Sequence, residues 1–239
     1  MKYQLYPLGD QAIVIDLGDS INKDIHQRVR TVMLQLDEQS FDWMIEYVSS
    51  FTSVTIYYDP IKVIKAQSCS SPTLPYDFVA QTINRLLQTS EPKRITDPQV
   101  VEIPVLYGGK AGPDLKEVAQ YNRLAPKEVI DIHTSKAYFV YMIGFAPGFP
   151  YLGGMSKRIA MPRKPTPRLS IPAGSVGIAG EQTGIYPIAT PGGWQIIGQT
   201  PVKLFTPSYS PPSLLQAGDS IRFTSITAEE FEALGDKHD

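Results

Sequence analysis

Arg163 and Arg168 lie in the run Pro162-Arg163-Lys164-Pro165-Thr166-Pro167-Arg168. A guanidinium group grips a carboxylate or phosphate in a planar fork. Prolines on both sides hold the pair in a stiff, extended segment. The chemistry on offer is anion binding. Uncharged donors stand beside glycines at Gln182, Thr183, Gln199 and Thr200. Pro191-Gly192-Gly193-Trp194 sets a rigid aromatic next to bare backbone, and Phe145, Pro147, Gly148, Phe149 and Tyr151 interleave aromatic, proline and glycine. These residues can wall a pocket, plug a barrel end or form an interface. The segment from Gly144 to Pro201 that holds them all carries eleven of the 18 glycines and nine of the 21 prolines. It contains one acid, Glu181, against Lys157, Arg158, Arg163, Lys164 and Arg168, a net charge of +4 in a chain of net −2. Tight barrel turns account for the glycines, but not for the scarcity of acids.

Other chemistries find no support. There is no GxxxxGK[ST] loop, and Gly108-Gly109-Lys110 reads as a turn before a helix. Gly174, Gly177 and Gly180 have the wrong spacing and setting for a dinucleotide fingerprint. Neither HExxH nor paired CxxC occurs, so no metal site is expected, and no GxSxG elbow is present. His26, His133 and His238 are far apart in the chain. His26 reads as lying on the polar side of a helix. His133 closes a helix, where a positive or polar residue suits the carbonyl end. His133 is retained with Arg163, Arg168, Gln182, Thr183 and Thr200 as a candidate anion or substrate ligand.

The elements that must position these residues fall into two groups. Tyr3–Leu8 and Ala12–Asp16 flank Gly9-Asp10 as a hairpin. Ile21, Ile25, Val29, Val32, Met33 and Leu36 recur at helical spacing. Strands follow at Trp43–Val48 and Val54–Tyr58, the second ended by Asp59-Pro60. A second helix opens near Pro75, and Val100–Leu106 returns as a strand. Strand–helix–strand–strand–helix–strand is the ferredoxin-like order, which predicts an α+β domain. Thr89–Gln99 is polar and is the linker candidate, with domains expected at 1–92 and 93–239. Two short helices, Asp114–Tyr121 and Pro126–His133, come next. Short strands then crowd together at Tyr138–Ile143, Ser175–Ala179, Ile185–Ile188, Gln195–Gly198 and Ser220–Phe223, a barrel or sandwich pattern.

Composition bounds the rest. Charged residues make up 19% of the 239 and hydrophobic ones 42%, ordinary for a globular protein. The slightly acidic balance argues against a nucleic-acid binder. No apolar run approaches the ~20 residues that span a bilayer, so no membrane role is expected. One cysteine, Cys69, excludes an intramolecular disulfide framework and fits the cytoplasm.

Several long motifs occur together in one order. They are Tyr107-Gly108-Gly109, Pro113-Asp114-Leu115, Gly144-Phe145-x-Pro147-Gly148-Phe149-x-Tyr151-Leu152-Gly153, Pro172-Ala173-Gly174-Ser175-Val176, Gln182-Thr183-Gly184-x-Tyr186, Pro191-Gly192-Gly193-Trp194 and Gly198-x-Thr200-Pro201. With these the chain resembles the allophanate hydrolase subunit 1 family, whose members include a component of bacterial 5-oxoprolinase and the Kip-type inhibitor of a sporulation histidine kinase. The resemblance implies a cyclophilin-like C-terminal barrel and an enzyme subunit that is inactive alone. It implies the 5-oxoprolinase subunits A and C as partners, and ATP consumed by the assembled complex as 5-oxo-L-proline opens to L-glutamate. It leaves two alternatives: inhibition of a sensor histidine kinase, and, more distantly, part of a biotin-dependent carboxyltransferase. The chain has no biotin attachment motif.

Overall fold

The computed structural model describes residues 2–67, 73–89 and 100–235. Cys69, His238 and the expected 92/93 boundary lie outside the described residues. The chain divides into two compact units, Met1–Asp97 and Pro98–Asp239.

In the first unit β1 (Gln4–Pro7) and β2 (Ala12–Asp16) form the expected hairpin. Helix α1 (Lys23–Asp37) is capped by Asn22, whose side chain accepts the Ile25 N–H at 2.9 Å. Strands β3 (Met44–Ser49) and β4 (Ser53–Tyr58) follow, and then α2 (Pro60–Ala66) and α3 (Pro75–Thr89). Alternation along β2 and β4 turns Ile13, Ile15, Val54, Ile56 and Tyr58 into one core, which Val29, Val32 and Leu36 of α1 and Val79 and Ile83 of α3 complete. His26 is fully buried on α1, not on its polar side.

The sheet order is β1-β2-β4-β3, antiparallel throughout. This corrects the ferredoxin-like order, in which Val100–Leu106 would be the last strand of this sheet. That segment belongs to the second unit. Asp59-Pro60 also starts a helix rather than only ending a strand. The Asp59 carboxylate accepts the N–H groups of Ile61 and Lys62 at 2.9 and 3.2 Å, and Pro60 fills a first-turn position that needs no donor.

The second unit begins with β5 (Val100–Tyr107), α4 (Leu115–Tyr121), α5 (Pro126–Thr134) and β6 (Ala137–Ile143). Next come β7 (Pro150–Gly153), β8 (Arg168–Ile171), β9 (Ser175–Ala179), β10 (Gln182–Ile185), β11 (Thr190–Gly192) and β12 (Gln195–Gln199). β13 (Ser220–Ser225) and α6 (Ala228–Gly235) finish it. The strand expected at Ile185–Ile188 lies earlier, at β10, where four residues pair with β9 across Gly180-Glu181. Seven strands close a barrel in the order β10-β7-β6-β13-β5-β12-β9. β5 and β13 pair in parallel from Val100↔Ser220 to Val105↔Ser225. Ile103, Val105, Tyr138, Val140, Val176, Ile178, Ile197 and Phe223 fill the interior. β8 and β11 form a separate two-stranded ribbon, and the glycine- and proline-rich segments beside it carry the candidate site.

Candidate ligand cavity and the loops that build it

The loop between β6 and β7 starts the site. The Ala146 N–H donates to the Gly144 carbonyl at 2.8 Å across Phe145, whose φ is +66°. A three-residue turn with positive φ at its centre is rare and strained, and a bulky side chain makes it more so. The Phe149 N–H then donates to the Ala146 carbonyl at 3.0 Å and the Gly144 N–H to the Phe149 carbonyl at 3.1 Å. The result holds Phe145 outward, 67% exposed, while Phe149 is buried.

Beneath Phe145 lies an aromatic cluster. Phe149 meets Phe145, Tyr151, Tyr186 and Trp194 edge-to-face, with ring centroids 5.2–5.7 Å apart. Tyr186 and Trp194 meet at 6.2 Å and 83°. Edge-to-face contacts of this kind fix the rings against one another. Together with Arg163, Pro167, Pro191, Gly192 and Gly193 they line a cavity of about 400 Å³.

The basic run is strapped against the neighbouring chain segment. The Lys164 N–H donates to the Gly193 carbonyl at 2.7 Å, and Gln195 Nε2 donates to the Pro162 carbonyl at 2.9 Å. Arg168 donates to the Trp194 carbonyl at 3.4 Å and, at 2.7 Å, to Asp114. Asp114 stands at the start of α4 yet caps nothing. Its backbone N–H donates to the Ile196 carbonyl at 2.9 Å, and its carboxylate accepts the Ile196 N–H at 2.6 Å. Lys164 Nζ lies 3.0 Å from the same carboxylate and 3.1 Å from Glu117. Burial acts to raise the Asp114 pKa, but hydrogen bonds from Arg168, Ile196 and Lys164 and the Arg168 charge outweigh it and hold the carboxyl below its ordinary range. Gly112 permits this approach, since a Cβ there would sit 2.0 Å from the Ile197 carbonyl oxygen.

Acids from outside the acid-poor segment therefore neutralise much of its charge. Arg168 and Lys164 are spent on Asp114 and Glu117, while Lys157 pairs at 3.1 Å with Glu181, the segment's own acid. Arg163 differs. Its guanidinium carbon stands 6.0 Å from the Trp194 ring centroid, and among the described residues no carboxylate lies within 4.0 Å of it.

Residues 3–215 match the family described as carboxyltransferase domain, subdomain C and D. The chain belongs to this family. That agrees with its motif resemblance to the allophanate hydrolase subunit 1 proteins. This member of the carboxyltransferase C/D family is 52% identical over 236 residues to the 5-oxoprolinase B subunit of Bacillus subtilis (strain 168), covering 98% of this chain and 97% of that protein. It is 38% identical over 224 residues to the 5-oxoprolinase B subunit of Escherichia coli O157:H7, covering 93% and 95%. A crystal structure of a conserved uncharacterized protein from Pyrococcus horikoshii, 43% identical, covers 95% of this chain and 100% of its own with a TM-score of 0.55.

The remaining candidates are not gathered at the cavity of this family member. His133 is fully buried within the barrel unit. Its Nε2 is 2.9 Å from the Thr183 hydroxyl and its Nδ1 2.7 Å from the Tyr107 hydroxyl. Thr183 donates its own proton to the Gly177 carbonyl at 3.0 Å, so its oxygen accepts from Nε2–H, and Nδ1 accepts from Tyr107. The ring stacks on Phe223 at 4.4 Å, and burial pushes its pKa down to about 3. Thr200 accepts the Val202 N–H at 3.2 Å, and Gln182 pairs with Ala179 at the turn of β9 and β10. Gly148 packs on Leu204 and Phe205, and Pro147 is exposed. Sequence reasoning misses two contributors. Tyr186 and Asp114 stand out only as members of the family motifs, and those motifs are the signal that could find them.

Among the described residues no three His, Cys, Asp or Glu side chains gather as a metal site, and no helix is long and apolar enough to cross a membrane.

Proposed function

We propose that the chain is a non-autonomous subunit of an ATP-dependent 5-oxoprolinase, acting in the cytoplasm with subunits A and C to open 5-oxo-L-proline to L-glutamate. The observation that carries this reading is the 52% identity, over almost the full length of both chains, to the 5-oxoprolinase B subunit of Bacillus subtilis. The make-up of the cavity supports it. Aromatic walls and one guanidinium can bind and orient a small anion. The lining offers no nucleophile–base pair of the kind hydrolysis requires. Opening a lactam builds negative charge at its carbonyl oxygen, and preorganised donors stabilise such charge best when water is excluded. The chain's share is thus to hold substrate, while ATP is bound in the assembled complex and the reacting groups are completed by a partner subunit.

The test is reconstitution. The three subunits mixed with ATP and 5-oxo-L-proline form glutamate, omission of any one abolishes it, and this chain alone neither opens the lactam nor hydrolyses ATP. A three-subunit mixture that yields no glutamate overturns the proposal. If the lone chain then suppresses histidine-kinase autophosphorylation, the regulatory reading replaces it.

A further inference from the structure

Five cations mark the segment from Gly144 to Pro201, but only some keep an available charge. Lys164 and Arg168 converge on Asp114, which is nearly buried, and Lys157 is paired with Glu181. Arg163 has the Trp194 face beside it and, among the described residues, no carboxylate partner. It is also the one charged residue of the ten that line the cavity. A cavity with one cation and no acid carries a net positive potential, strengthened by its low-dielectric aromatic walls.

A second donor lies near it. Tyr186 is 2% exposed and lines the same space. Burial raises its phenol pKa to about 12, opposed by Arg163, the Trp194 backbone N–H and Arg168, so it stays protonated at neutral pH. A protonated phenol carries an O–H that can donate. Glycine is required beside it, because a Cβ at Gly192 would lie 2.5 Å from that hydroxyl. Phe149 and Trp194, nearly perpendicular at 88°, supply a corner for a compact body. The volume of about 400 Å³ falls within the range of small-molecule sites.

We propose that this cavity binds a small organic carboxylate with a compact, flat ring, Arg163 and the Tyr186 hydroxyl holding the carboxylate while Phe149, Tyr151 and Trp194 hold the ring. The site is complete within this chain. The proposal rests on the reading as a 5-oxoprolinase subunit, and 5-oxo-L-proline is such a molecule. Arg168, its charge taken by Asp114, holds the loop and does not touch the ligand.

The experiment is an NMR titration of the full chain with 5-oxo-L-proline, following the Gly192 and Gly193 amides and the Trp194 indole. Those three signals shift together. Arg163→Gln weakens binding at least tenfold, the usual scale for losing a charge-assisted contact, and Arg163→Lys falls between. 5-Oxo-L-prolinamide, which lacks the carboxylate, binds at least tenfold more weakly than the acid. Unchanged amide spectra away from the cavity show that Arg163→Gln is folded. Equal binding by wild type and Arg163→Gln, equal binding of acid and amide, shifts centred elsewhere, or no binding at millimolar ligand would each overturn the proposal. Glutamate formation by the three-subunit mixture alongside any of those results removes this site and leaves the subunit reading standing. Tight, Arg163-dependent binding with no glutamate formed does the reverse.

Discussion

Replacing Asp114 by alanine removes the acceptor on which three donors converge. The carboxylate side chain is 5% exposed, with Lys164 at 20% and Arg168 at 30%. Three costs follow. The Ile196 N–H, buried in β12, loses its side-chain acceptor, worth about 1–3 kcal/mol for an unsatisfied donor. Arg168 keeps only its 3.4 Å contact to the Trp194 carbonyl, while Lys164 retains Glu117. Breaking a fully buried pair costs roughly 3–5 kcal/mol, and the partial exposure of both cations reduces that to about 1–2 kcal/mol by solvent screening. The sum is about 3 kcal/mol, or roughly 10 °C in melting temperature for a unit of this size. Asp114→Asn keeps an acceptor for Ile196 and loses only the charge, so about half the effect is expected. The wild-type pKa is depressed in the folded state. Its contribution is therefore fully present above the ordinary carboxylate pKa near 4 and is lost as pH falls through the lower folded value. Calorimetry of wild type, Asp114→Asn and Asp114→Ala at pH 7 and pH 3.5 measures all of this. An Asp114→Ala protein melting within 2 °C of wild type at pH 7 would refute the reasoning.

Two further perturbations probe other parts of the second unit. His133 has a folded pKa of about 3 against an ordinary 6.5. It therefore stabilises fully above pH 6.5 and loses that contribution as pH falls toward 3, at up to about 1.4 kcal/mol per pH unit. Its ring NMR signals should stay fixed from pH 7.5 to 5, and a midpoint above 5 would contradict burial as the governing cause. Phe145→Gly relieves a positive φ that costs a bulky residue about 1–3 kcal/mol, offset by the greater freedom of an unfolded glycine. Stability should stay within about 1 kcal/mol of wild type in urea unfolding, while glutamate formation by the assembled complex falls severalfold. A loss above roughly 2 kcal/mol would show that the turn is unstrained or that the ring bears weight.

Local signals were legible where the structure is local. The Gly9-Asp10 hairpin and the helical spacing of Ile25, Val29, Val32 and Leu36 needed only neighbours in the chain, as did Ser175–Ala179. So did the aromatic and glycine residues of the cavity, because proline and glycine mark where backbone must turn tightly. What escaped was non-local. Asp114 binds Arg168 54 residues away and Ile196 82 away. Counting charges within one segment therefore overstated its free positive charge. Val100–Tyr107 reads as a strand in either unit, and pairing alone decides which. Asp59-Pro60 ends one element and begins the next, and only the first role is legible from the residue types alone. His26 shows the converse limit, a polar side chain carried into the core by the apolar residues around it.

The parallel pairing of β5 with β13 has a temporal consequence. β5 is the first strand of the barrel to leave the ribosome and β13 the last, with more than a hundred residues between their paired positions. Synthesis at about 5–20 residues per second leaves β5 waiting for several seconds. Until Ser220–Ser225 arrives, β5 and β6 each present an open edge, and open edges recruit foreign strands. Loop closure over such a span also slows folding after release. The interval before β13 emerges is thus the window in which a chaperone, or a partner chain made alongside, would do most to protect this fold.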